Sequence, residues 1–402
     1  MSPSFKPASV HPLNIGYVTA SCSRAGGGLL DAVSGLANNV VALGSRVEVF
    51  SLEDEFTDAD LGSWDGPVLR TFPKSGPKAI GFSPSMRDAV GAFQGHLLHS
   101  QGIWMYPSRC TSTWKKRSKA QYIVSPHGML DPWILARSKL KKKLAMAAYE
   151  RRHLNEASCF HALNTQESDA IRALGYRQPI AVIPNGVIIP SPEASVKKPD
   201  WWDESLDGKK VLLYFGRLHP KKGVGELISA WARIAANAGN IDQWCLVIAG
   251  WGDEAYLRHL KELAASSRST GRVMFVGPQF GSSRDSTLAC ADCVVLPSHS
   301  EGLPLVPLEA WARSKPVILT PGCNLSAAVQ AGAAMEALPS ADSLEQALLQ
   351  LLAAPAEKLQ QMGATGLQFV TTHFSWPRVA EQMMLVYRWI LGGGPKPASV
   401  VE

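Results

Sequence analysis

The chain has 402 residues, of which 46% are hydrophobic and 18% are charged. This length is too great for one ordinary core and predicts about two domains of roughly 150–200 residues each. No apolar run reaches the ~18 residues that a membrane span needs, and the N-terminus lacks the apolar stretch of a secretory signal, so we expect a cytoplasmic protein. The net charge is +6, and residues 1–195 carry all of it, with 21 Lys+Arg against 15 Asp+Glu.

Short apolar runs alternate with helical patterns through the first half of the chain. We predict strands over residues 14–20, 47–50, 96–100, 122–126, 159–163 and 180–184. The clearest helix runs from Leu29 and places Val33, Leu36, Val40 and Leu43 on one face. Strands that alternate with helices indicate a parallel sheet covered on both faces.

The second half repeats this rhythm more cleanly. We predict strands over residues 211–215, 244–250, 272–277, 293–297 and 316–320. Residues 190–210 are rich in Pro, Ser and charge, which is typical of an interdomain linker. After residue 340 the pattern is purely helical and ends in an amphipathic helix over 375–391. We expect the two ends, 1–10 and 393–402, to be disordered.

These patterns predict two doubly wound α/β domains that face each other, with the ligand site in the cleft between them. Two loops of the first domain are candidates for that site. The loop that includes Gly26, Gly27 and Gly28 follows the first strand and would let a ligand approach the backbone, although a Gly-rich turn alone is a weak signal. His127, at the end of another strand, is followed by Gly128; a structural role for this histidine is the alternative.

A loop after the strand over 211–215 carries Arg217, Lys221 and Lys222 just before a helix that starts near Val224. Basic side chains beside a helix N-terminus form an anion site, because the free N–H groups and the helix dipole add to their charge. An arginine fork together with a lysine point charge suits a diphosphate. A solvated basic turn explains the loop equally well.

Glu301 and Glu309 stand in the otherwise apolar stretch PSHSEGLPLVPLEA, where a helix is expected to begin near Pro304 or Leu305. Glutamate is rarely fully buried unless it is paired. Carboxylates accept hydrogen bonds from hydroxyl pairs, so one could hold a sugar and the other a ribose of a long ligand. An acidic helix start explains Glu301 well but Glu309 poorly.

The seven cysteines include one C-x-x-C, Cys290 and Cys293. This pair lacks the second half of a zinc site. The surrounding sequence is typical of a helix end that runs into a buried strand, so structural burial is favoured over metal or redox chemistry.

Taken in order, these motifs resemble retaining glycosyltransferases of family 4, which have the GT-B fold of two Rossmann-like domains. The Gly-rich first loop, the His-Gly strand end, "IPNGV", "FGRL…KKG", "VIAGWGDE" and "LPSHSEGLPLVPLEA" carry the resemblance, which covers nearly the whole chain. It implies an N-terminal acceptor-side domain over 1–189, a linker over 190–210 and a C-terminal nucleotide-sugar domain over 211–374. A last helix over 375–392 would cross back to the N-terminal domain.

The resemblance implies a role for each charged residue of these motifs. Glu301 would hold hydroxyls of the donor sugar, and Glu309 would hold the ribose of the nucleotide. Arg217 and Lys222 would neutralise the diphosphate as charge develops on the leaving group. His127 would contact the donor sugar across the cleft.

The remaining donor-binding positions implied by the resemblance lie in strand-end loops. They are Gly302, Leu303, Pro304, Leu305, Gly27, Gly28, Gly216 and Gly250. The backbone from Gly302 to Leu305 would add to the diphosphate site, and Gly27 and Gly28 would approach the phosphates or the acceptor. Such enzymes generally need no metal, so we expect neither a metal nor a cofactor besides the nucleotide-sugar donor.

The implied reaction moves a sugar from a nucleotide diphosphate sugar to an acceptor hydroxyl with retention of configuration. The departing diphosphate would help to take the acceptor proton in a front-face displacement. Two alternatives stay open. One is a GT-B nucleotide-sugar epimerase or hydrolase that needs no acceptor, and the other is a non-catalytic sugar-nucleotide-binding protein of the same fold.

Residues 109–152 hold 12 basic and 2 acidic residues, with Trp104, Trp114 and Trp133 nearby. Basic residues that alternate with apolar ones on a helix suit an anionic membrane surface, and a solvated basic face is the alternative. The stretch "HGMLDPW" resembles bacterial enzymes that build surface polysaccharides. We therefore expect a lipid-linked glycan acceptor, from exopolysaccharide or lipopolysaccharide assembly, peripheral placement on the inner face of the cytoplasmic membrane and no nucleic-acid partner.

Overall fold

The computed structural model describes residues 12–77, 80–135, 138–191, 197–237, 239–266 and 273–402. The N-terminal end over 1–10, for which we predicted disorder, lies outside these ranges. Within them, no helix is both long enough and apolar enough to span a bilayer. The chain divides into two compact units. Unit 1 comprises Met1–Gly186 and Trp376–Glu402, and unit 2 comprises Val187–Ser375.

Both units are built around a sheet. The first seven strands belong to unit 1 and are β1 Asn14–Thr19, β2 Arg46–Leu52, β3 Val68–Phe72, β4 Leu97–Gln101, β5 Gln121–Ser125, β6 Cys159–Ala162 and β7 Ile180–Val182. The next six belong to unit 2 and are β8 Lys210–Phe215, β9 Trp244–Ala249, β10 Val273–Gly277, β11 Cys293–Leu296, β12 Val317–Leu319 and β13 Ala334–Glu336. The last strand, β14 Val400–Val401, returns to unit 1.

Helices connect the strands within each unit. In unit 1 they are α1 Gly28–Ala42, α2 Pro84–Ala92, α3 Tyr106–Ser118, α4 Pro132–Leu135, α5 Lys139–Ala145, α6 Arg151–Asn155 and α7 Thr165–Ala173, with a π-helix over Met146–Glu150. In unit 2 they are α8 Val224–Asn237, α9 Glu254–Ser266, α10 Ser282–Cys290, α11 Leu305–Trp311, α12 Ser326–Gln330, α13 Ala341–Leu352 and α14 Ala356–Phe374. The helix α15 Trp376–Ile390 belongs to unit 1 again.

The strand order is β14-β7-β6-β5-β4-β1-β2-β3 in unit 1 and β10-β9-β8-β11-β12-β13 in unit 2. All described neighbours pair in parallel except β14, which runs antiparallel to β7. Each unit is therefore a doubly wound α/β domain, and the predicted fold class is confirmed. The order reverses direction beside β1 in unit 1 and beside β8 in unit 2, where such sheets bind ligands.

The two faces of the unit 1 sheet are both buried because successive side chains of a strand point to opposite faces. Ile15 and Tyr17 of β1 join one apolar cluster, which includes residues of α1 and α15. Val18 of the same strand joins the other cluster, which includes Val90 of α2 and Trp114 of α3. This double burial explains why the strands read as apolar runs rather than as alternating patterns.

The predicted strands of both halves are present to within a few residues, but the described strands β3, β13 and β14 were missed. The edge strand β3 is half exposed and holds Arg70 and Thr71, so it has no apolar run. The strand β13 has only three residues. The predicted disorder of residues 393–402 is wrong, because Val400 pairs with Ala181 and is 5% exposed.

Part of the predicted linker over 190–210 packs onto unit 2. Leu206 is buried in the apolar cluster of that unit. The indole of Trp201 packs against the same cluster and donates a hydrogen bond from Nε1 to Thr287 Oγ1 at 2.9 Å. The linker-like composition of residues 190–210 therefore gave no indication that Trp201 and Leu206 pack on unit 2.

Helix α15 is a structural part of unit 1. Trp376 packs directly on Gly35 of α1, where a Cβ atom would lie 2.2 Å from the indole ring. Val379, Met383 and Tyr387 of α15 are buried in the same apolar cluster as the strands. The helix therefore completes one of the two faces that cover the unit 1 sheet.

A buried chain of hydrogen bonds also fastens α15 to the sheet. Its members are, in order, Tyr17, Tyr387, His99, Ser125, His161 and the carbonyl of Ile183, with links of 2.6–2.9 Å. Because that carbonyl can only accept, His161 donates from Nε2 and accepts at Nδ1, and with both histidines neutral every donor along the chain points the same way. Burial lowers the pKa of His161 to about 4 and holds that of His99 well below its usual value.

Candidate active site

The loop that follows β8 lies at the carboxyl edge of the unit 2 sheet. Its Arg217 is exposed, and no other described group makes a hydrogen bond or ion pair with that guanidinium. A hydrogen bond holds the backbone of this loop, because the buried Tyr214 hydroxyl donates to the Arg217 carbonyl at 2.9 Å. The loop thus holds a free cation on an anchored backbone.

Gly223 lets this loop lie directly on the end of β11. Its φ is +68°, and a Cβ atom there would stand 2.1 Å from the Pro297 carbonyl oxygen, which no other residue would tolerate. The His299 amide donates to the Lys221 carbonyl at 2.9 Å and closes the contact. Residues that are far apart in sequence are therefore brought side by side at this edge.

Lys222 and Glu301 are the predicted site residues that this contact brings together. The Lys222 ammonium donates to Glu301 Oε1 at 2.5 Å, and Ser298 Oγ donates to the same oxygen at 2.6 Å. The two side chains are 22% and 12% exposed, so the pair is partly withdrawn from water but still reachable. The Glu301 amide donates to the Gly322 carbonyl at 2.7 Å and holds the carboxylate in place.

Glu309 does not share this pair but has a cation of its own. It lies on α11, which begins at Leu305 as predicted, with Gly302, Leu303 and Pro304 in the preceding loop. Arg284 Nη2 donates to both carboxylate oxygens, at 2.7 and 2.5 Å. Burial raises the pKa of Glu309, and the charge of Arg284 opposes that rise.

Arg284 was not singled out from the sequence. Its guanidinium lies 5.5 Å from the ring centre of Phe215, the last residue of β8. No sequence motif around Arg284 indicated a binding role, because the residue lies within the short helix α10. Only the fold places that helix beside α11.

Gly216 and Gly250 belong to the same edge. A Cβ atom on Gly250 would lie 1.8 Å from the Gly216 carbonyl oxygen. The Gly216 amide donates to the Ala249 carbonyl, and the Gly250 amide donates to the Gly277 carbonyl. The loops after β8, β9 and β10 are therefore joined backbone to backbone.

Two exposed aromatic side chains follow these loops. Trp251 comes directly after Gly250 and is 50% exposed, and Phe280 follows β10 and is 64% exposed. Their ring centres are 5.3 Å apart. Large exposed aromatic surface at a strand edge suits a flat ring of a ligand. Sequence reasoning missed it, although Trp251 directly follows Gly250 and Phe280 lies three residues after Gly277.

The predicted site residues of the first half all lie in unit 1. His127 follows β5, has a φ of +52° and contacts Gln101 Oε1 through Nε2 at 2.7 Å. Because that oxygen can only accept, His127 carries its proton on Nε2. Burial, with the nearby His161, lowers the pKa of His127 to about 3, so the ring is neutral and its Nδ1 is an acceptor.

Gly27 and Gly28 are exposed at the start of α1, with open space beside each. The loop before them is held by Asp54, which accepts from Ser21 at 2.8 Å and from Ser23 at 2.5 Å. Burial would raise the pKa of Asp54, but these hydrogen bonds bring it below its usual value. The two glycines thus present open backbone on an anchored loop.

The described residues hold no group of three or more His, Cys, Asp or Glu side chains arranged to bind a metal ion. Cys293 is fully buried in β11 and Cys290 is half buried, and both are free thiols. Burial raises the pKa of each. The C-x-x-C is therefore a structural feature of unit 2, as the sequence favoured.

Two family models match this sequence. Residues 200–369 match "Glycosyl transferases group 1", and residues 27–186 match "Glycosyl transferase 4-like domain". The matched ranges fall in unit 2 and unit 1, respectively.

Named relatives match part of the chain. The D-inositol 3-phosphate glycosyltransferase of Salinispora tropica is 31% identical over 181 residues, and that of Rhodococcus erythropolis is 27% identical over 264 residues. The matches cover 44% and 63% of this chain. The chain spans 38% of the length of the first relative and 59% of the second.

Solved structures match nearly the whole chain. HepE of Anabaena, solved with UDP and glucose, has a TM-score of 0.65 at 18% identity and covers 92% of this chain and 98% of its own. Sucrose-phosphate synthase of Thermosynechococcus elongatus has a TM-score of 0.67 at 21% identity, with 95% and 100% covered. At these identities the likeness concerns the fold.

Proposed function

Because the chain belongs to the family 4 type of GT-B glycosyltransferases, we propose that it transfers a sugar from a nucleotide diphosphate sugar to an acceptor hydroxyl with retention of configuration. The observation that carries this proposal is the group at the unit 2 edge, where Lys222 meets Glu301 at 2.5 Å and Arg217 stands free on the same loop. Fixed cations stabilise a departing diphosphate without reorganising as its charge develops. A carboxylate beside them accepts hydrogen bonds from sugar hydroxyls.

The other residues have assigned places in this proposal. Glu309, held by Arg284, binds the ribose, and the Trp251–Phe280 pair offers its ring faces to the nucleobase. Neutral His127 accepts a hydrogen bond from the donor sugar at Nδ1. No metal takes part, and the departing diphosphate takes the acceptor proton. HepE, of the same fold, was solved with UDP-glucose, which supports a nucleotide sugar as the donor class.

The test is a panel of UDP-, GDP- and ADP-sugars, scored first by thermal shift and then by sugar transfer. Arg217→Ala and Lys222→Ala should each weaken binding of the selected donor about 10- to 150-fold, since a hydrogen bond to a charged group contributes about 1.5–3 kcal/mol. Lys221→Ala is the matched control, because its side chain is exposed and the hydrogen bonds of this residue are made by its backbone amide and carbonyl. Near-normal turnover of both single variants at low donor concentration would refute the assignment.

For the acceptor we propose a lipid-linked glycan of bacterial exopolysaccharide or lipopolysaccharide assembly, met at the inner face of the cytoplasmic membrane. The supporting surface is α5. Leu140 and Leu144 are 72% and 64% exposed on one side of this helix, and Lys141 and Lys143 are exposed beside them. Exposed apolar residues among lysines suit an anionic membrane surface. Lys142 is turned inward, where its ammonium donates to the Ile134 carbonyl.

Flotation with anionic and neutral liposomes at low and high salt tests this docking. Each Lys near an anionic surface is worth about 1 kcal/mol, so the double variant Lys141→Glu and Lys143→Glu should release the protein from anionic liposomes. The double variant Lys261→Glu and Lys358→Glu, on exposed helices of unit 2, is the matched control. If the wild type ignores anionic liposomes at low salt, a soluble acceptor becomes the better proposal.

A further inference from the structure

Unit 1 has a concave surface that the candidate site residues described above do not line. It is a groove of about 550 Å³ between α2, α3 and the π-helix over Met146–Glu150. Three arginines line it, Arg87 from α2 with Arg109 and Arg117 from α3. None of its lining residues is acidic.

Two of the three arginines of this groove have no ion-pair partner among the described residues. Arg87 contacts Asp88 at 2.9 Å. Among the described residues, neither Arg109 nor Arg117 makes an ion pair or a side-chain hydrogen bond. Like charges that line one cavity repel each other, so an anion bound among them relieves that repulsion. Guanidinium forks match phosphate oxygens in geometry as well as in charge.

The distance between Arg109 and Arg117 along α3 favours an anion that is longer than a single phosphate group. Arg109 and Arg117 are eight residues apart on one face of α3, with Thr113 between them in the lining. Eight residues of helix rise about 12 Å, which is more than one phosphate group spans. Two phosphate groups in series, as in a diphosphate, engage both arginines better than a single phosphate does.

One end of the groove is apolar. Ile80 and Phe82 are 46% and 38% exposed there, and the Phe82 ring packs edge-on against Tyr106 with ring centres 4.9 Å apart. The Tyr106 amide donates to the Ile80 carbonyl at 2.9 Å and fixes this end. Tyr149 also lines this groove, and its hydroxyl donates a hydrogen bond to the Trp104 carbonyl. Exposed apolar surface beside three arginines fits an ester rather than a bare anion.

We infer that this groove binds the diphosphate of a lipid-linked acceptor, with the arginines on the phosphates and the Ile80–Phe82 end on the apolar part. The inference rests on the proposed acceptor class, but it concerns binding and not transfer. Farnesyl diphosphate is a suitable probe, because it is a soluble isoprenoid diphosphate and needs no membrane.

Isothermal titration of the full chain tests the inference with three ligands. Farnesyl diphosphate should bind at least tenfold tighter than inorganic diphosphate, and farnesol should not bind. Phe82→Ser should reduce the advantage of farnesyl diphosphate and leave inorganic diphosphate unchanged. Equal affinity of the two diphosphates would overturn the assignment of the apolar end, and no binding of either would overturn the site.

Substitutions separate this groove from the donor site, which also has cations for a diphosphate. Arg109→Gln and Arg117→Gln should each weaken farnesyl diphosphate at least tenfold, whereas Lys222→Ala and the exposed control Arg177→Gln should leave its affinity unchanged. The reverse result would place the ligand at unit 2 and overturn the inference. If donor turnover fails but this binding pattern holds, the proposed reaction is wrong and the groove assignment stands.

Discussion

Glu309 is held by Arg284 in a way that orients its carboxylate and favours the ionised form. Both of its oxygens accept from one nitrogen of Arg284. Each carboxylate oxygen has two lone pairs, so hydroxyl donors can still be accepted. Burial raises the pKa of Glu309 and the arginine works against that rise, so the arginine favours the ionised carboxylate, which can only accept hydrogen bonds.

Replacing Arg284 by Met should therefore make nucleotide binding more sensitive to acid. Without the cation, the pKa of Glu309 rises further, and the carboxylate becomes protonated at a higher pH than in the wild type. Titration of the selected nucleoside diphosphate between pH 5.5 and 8.5 should show the variant losing affinity first as the pH falls. Glu309→Gln, which has no proton to gain, is the reference for the titration of the nucleotide itself. Superimposed wild-type and Arg284→Met profiles would contradict this role.

The two glutamates should separate binding from transfer. Glu309→Gln should mainly weaken the free nucleoside diphosphate, because its proposed partner is the ribose. Glu301→Gln should mainly slow transfer, because its proposed partner is the reacting sugar, and it should leave nucleoside diphosphate affinity within a few-fold. Affinity by calorimetry and turnover at saturating donor distinguish the two. Equal nucleoside diphosphate affinity in wild type and Glu309→Gln would contradict the ribose assignment.

Trp251 should contribute to nucleotide affinity through its exposed ring. Stacking of a base on an aromatic side chain is worth about 1–3 kcal/mol, so Trp251→Ala should weaken the nucleoside diphosphate about 5- to 150-fold. Trp251→Phe should recover part of that loss. The fluorescence of the tryptophans should also change when nucleotide binds to the wild type. An alanine variant with unchanged affinity would remove the aromatic pair from the site.

The charged site residues could be predicted because strand-end loops with unusual composition are visible in a sequence. Glu301 and Lys222 both stood out in such loops, although only the close approach at Gly223 puts them in contact. Arg284 could not be found this way, since its meaning depends on a helix packing beside α11. Single residues of ordinary type become significant only through tertiary neighbours.

At the scale of elements, the hydrogen-bond chain that joins α15 to the unit 1 sheet makes the unit sensitive to acid. His99 and His161 have pKa values below those of the unfolded chain, near 6.5, because they are buried. Below pH 6.5 the unfolded state therefore binds more protons than the folded state. Stability that is fully present above that pH is lost as the pH falls towards 4.

Thermal unfolding between pH 7.5 and 5 should show this loss. His161→Gln should flatten the pH dependence, because one depressed pKa is removed, whereas the exposed His259→Gln of unit 2 should leave it unchanged. Tyr387→Phe removes the donor to the buried His99 ring and should cost about 1–3 kcal/mol at neutral pH. A His161→Gln variant as acid-sensitive as the wild type would show that His161 does not contribute to this acid sensitivity.

Element prediction succeeded where a strand is buried on both faces and failed at the sheet edges. The central strands β8, β9 and β11 are buried apolar runs, as expected of a parallel sheet covered on both faces. Half-exposed β3 and two-residue β14 obey no such rule, and β14 exists only because β7 offers an open edge. An edge strand forms because a neighbouring strand is available for pairing, and the local sequence pattern does not reveal that neighbour.

At the scale of the whole molecule, unit 1 is discontinuous in sequence, since Trp376–Glu402 returns to it after all of unit 2. Seven side chains of α15 are buried in its core, among them Trp376, Val379, Met383 and Tyr387. Full burial of such a side chain is worth about 1.5–3 kcal/mol. The net stability of a domain is about 5–15 kcal/mol, so the contribution of α15 is comparable with the whole.

A chain that ends at Ser375 should consequently lose the fold of unit 1 and keep that of unit 2. Limited proteolysis should cut residues 12–186 rapidly and leave a resistant fragment over 187–375, and that fragment should still bind nucleoside diphosphate through Lys222 and Glu309. A chain that ends at Leu391 is the control, because it keeps α15 and loses only the short β14; its unit 1 should resist the protease far longer than that of the shorter chain. Equal protection of residues 12–186 in the chain ending at Ser375 and in the full chain would show that α15 covers the sheet without being needed to fold it.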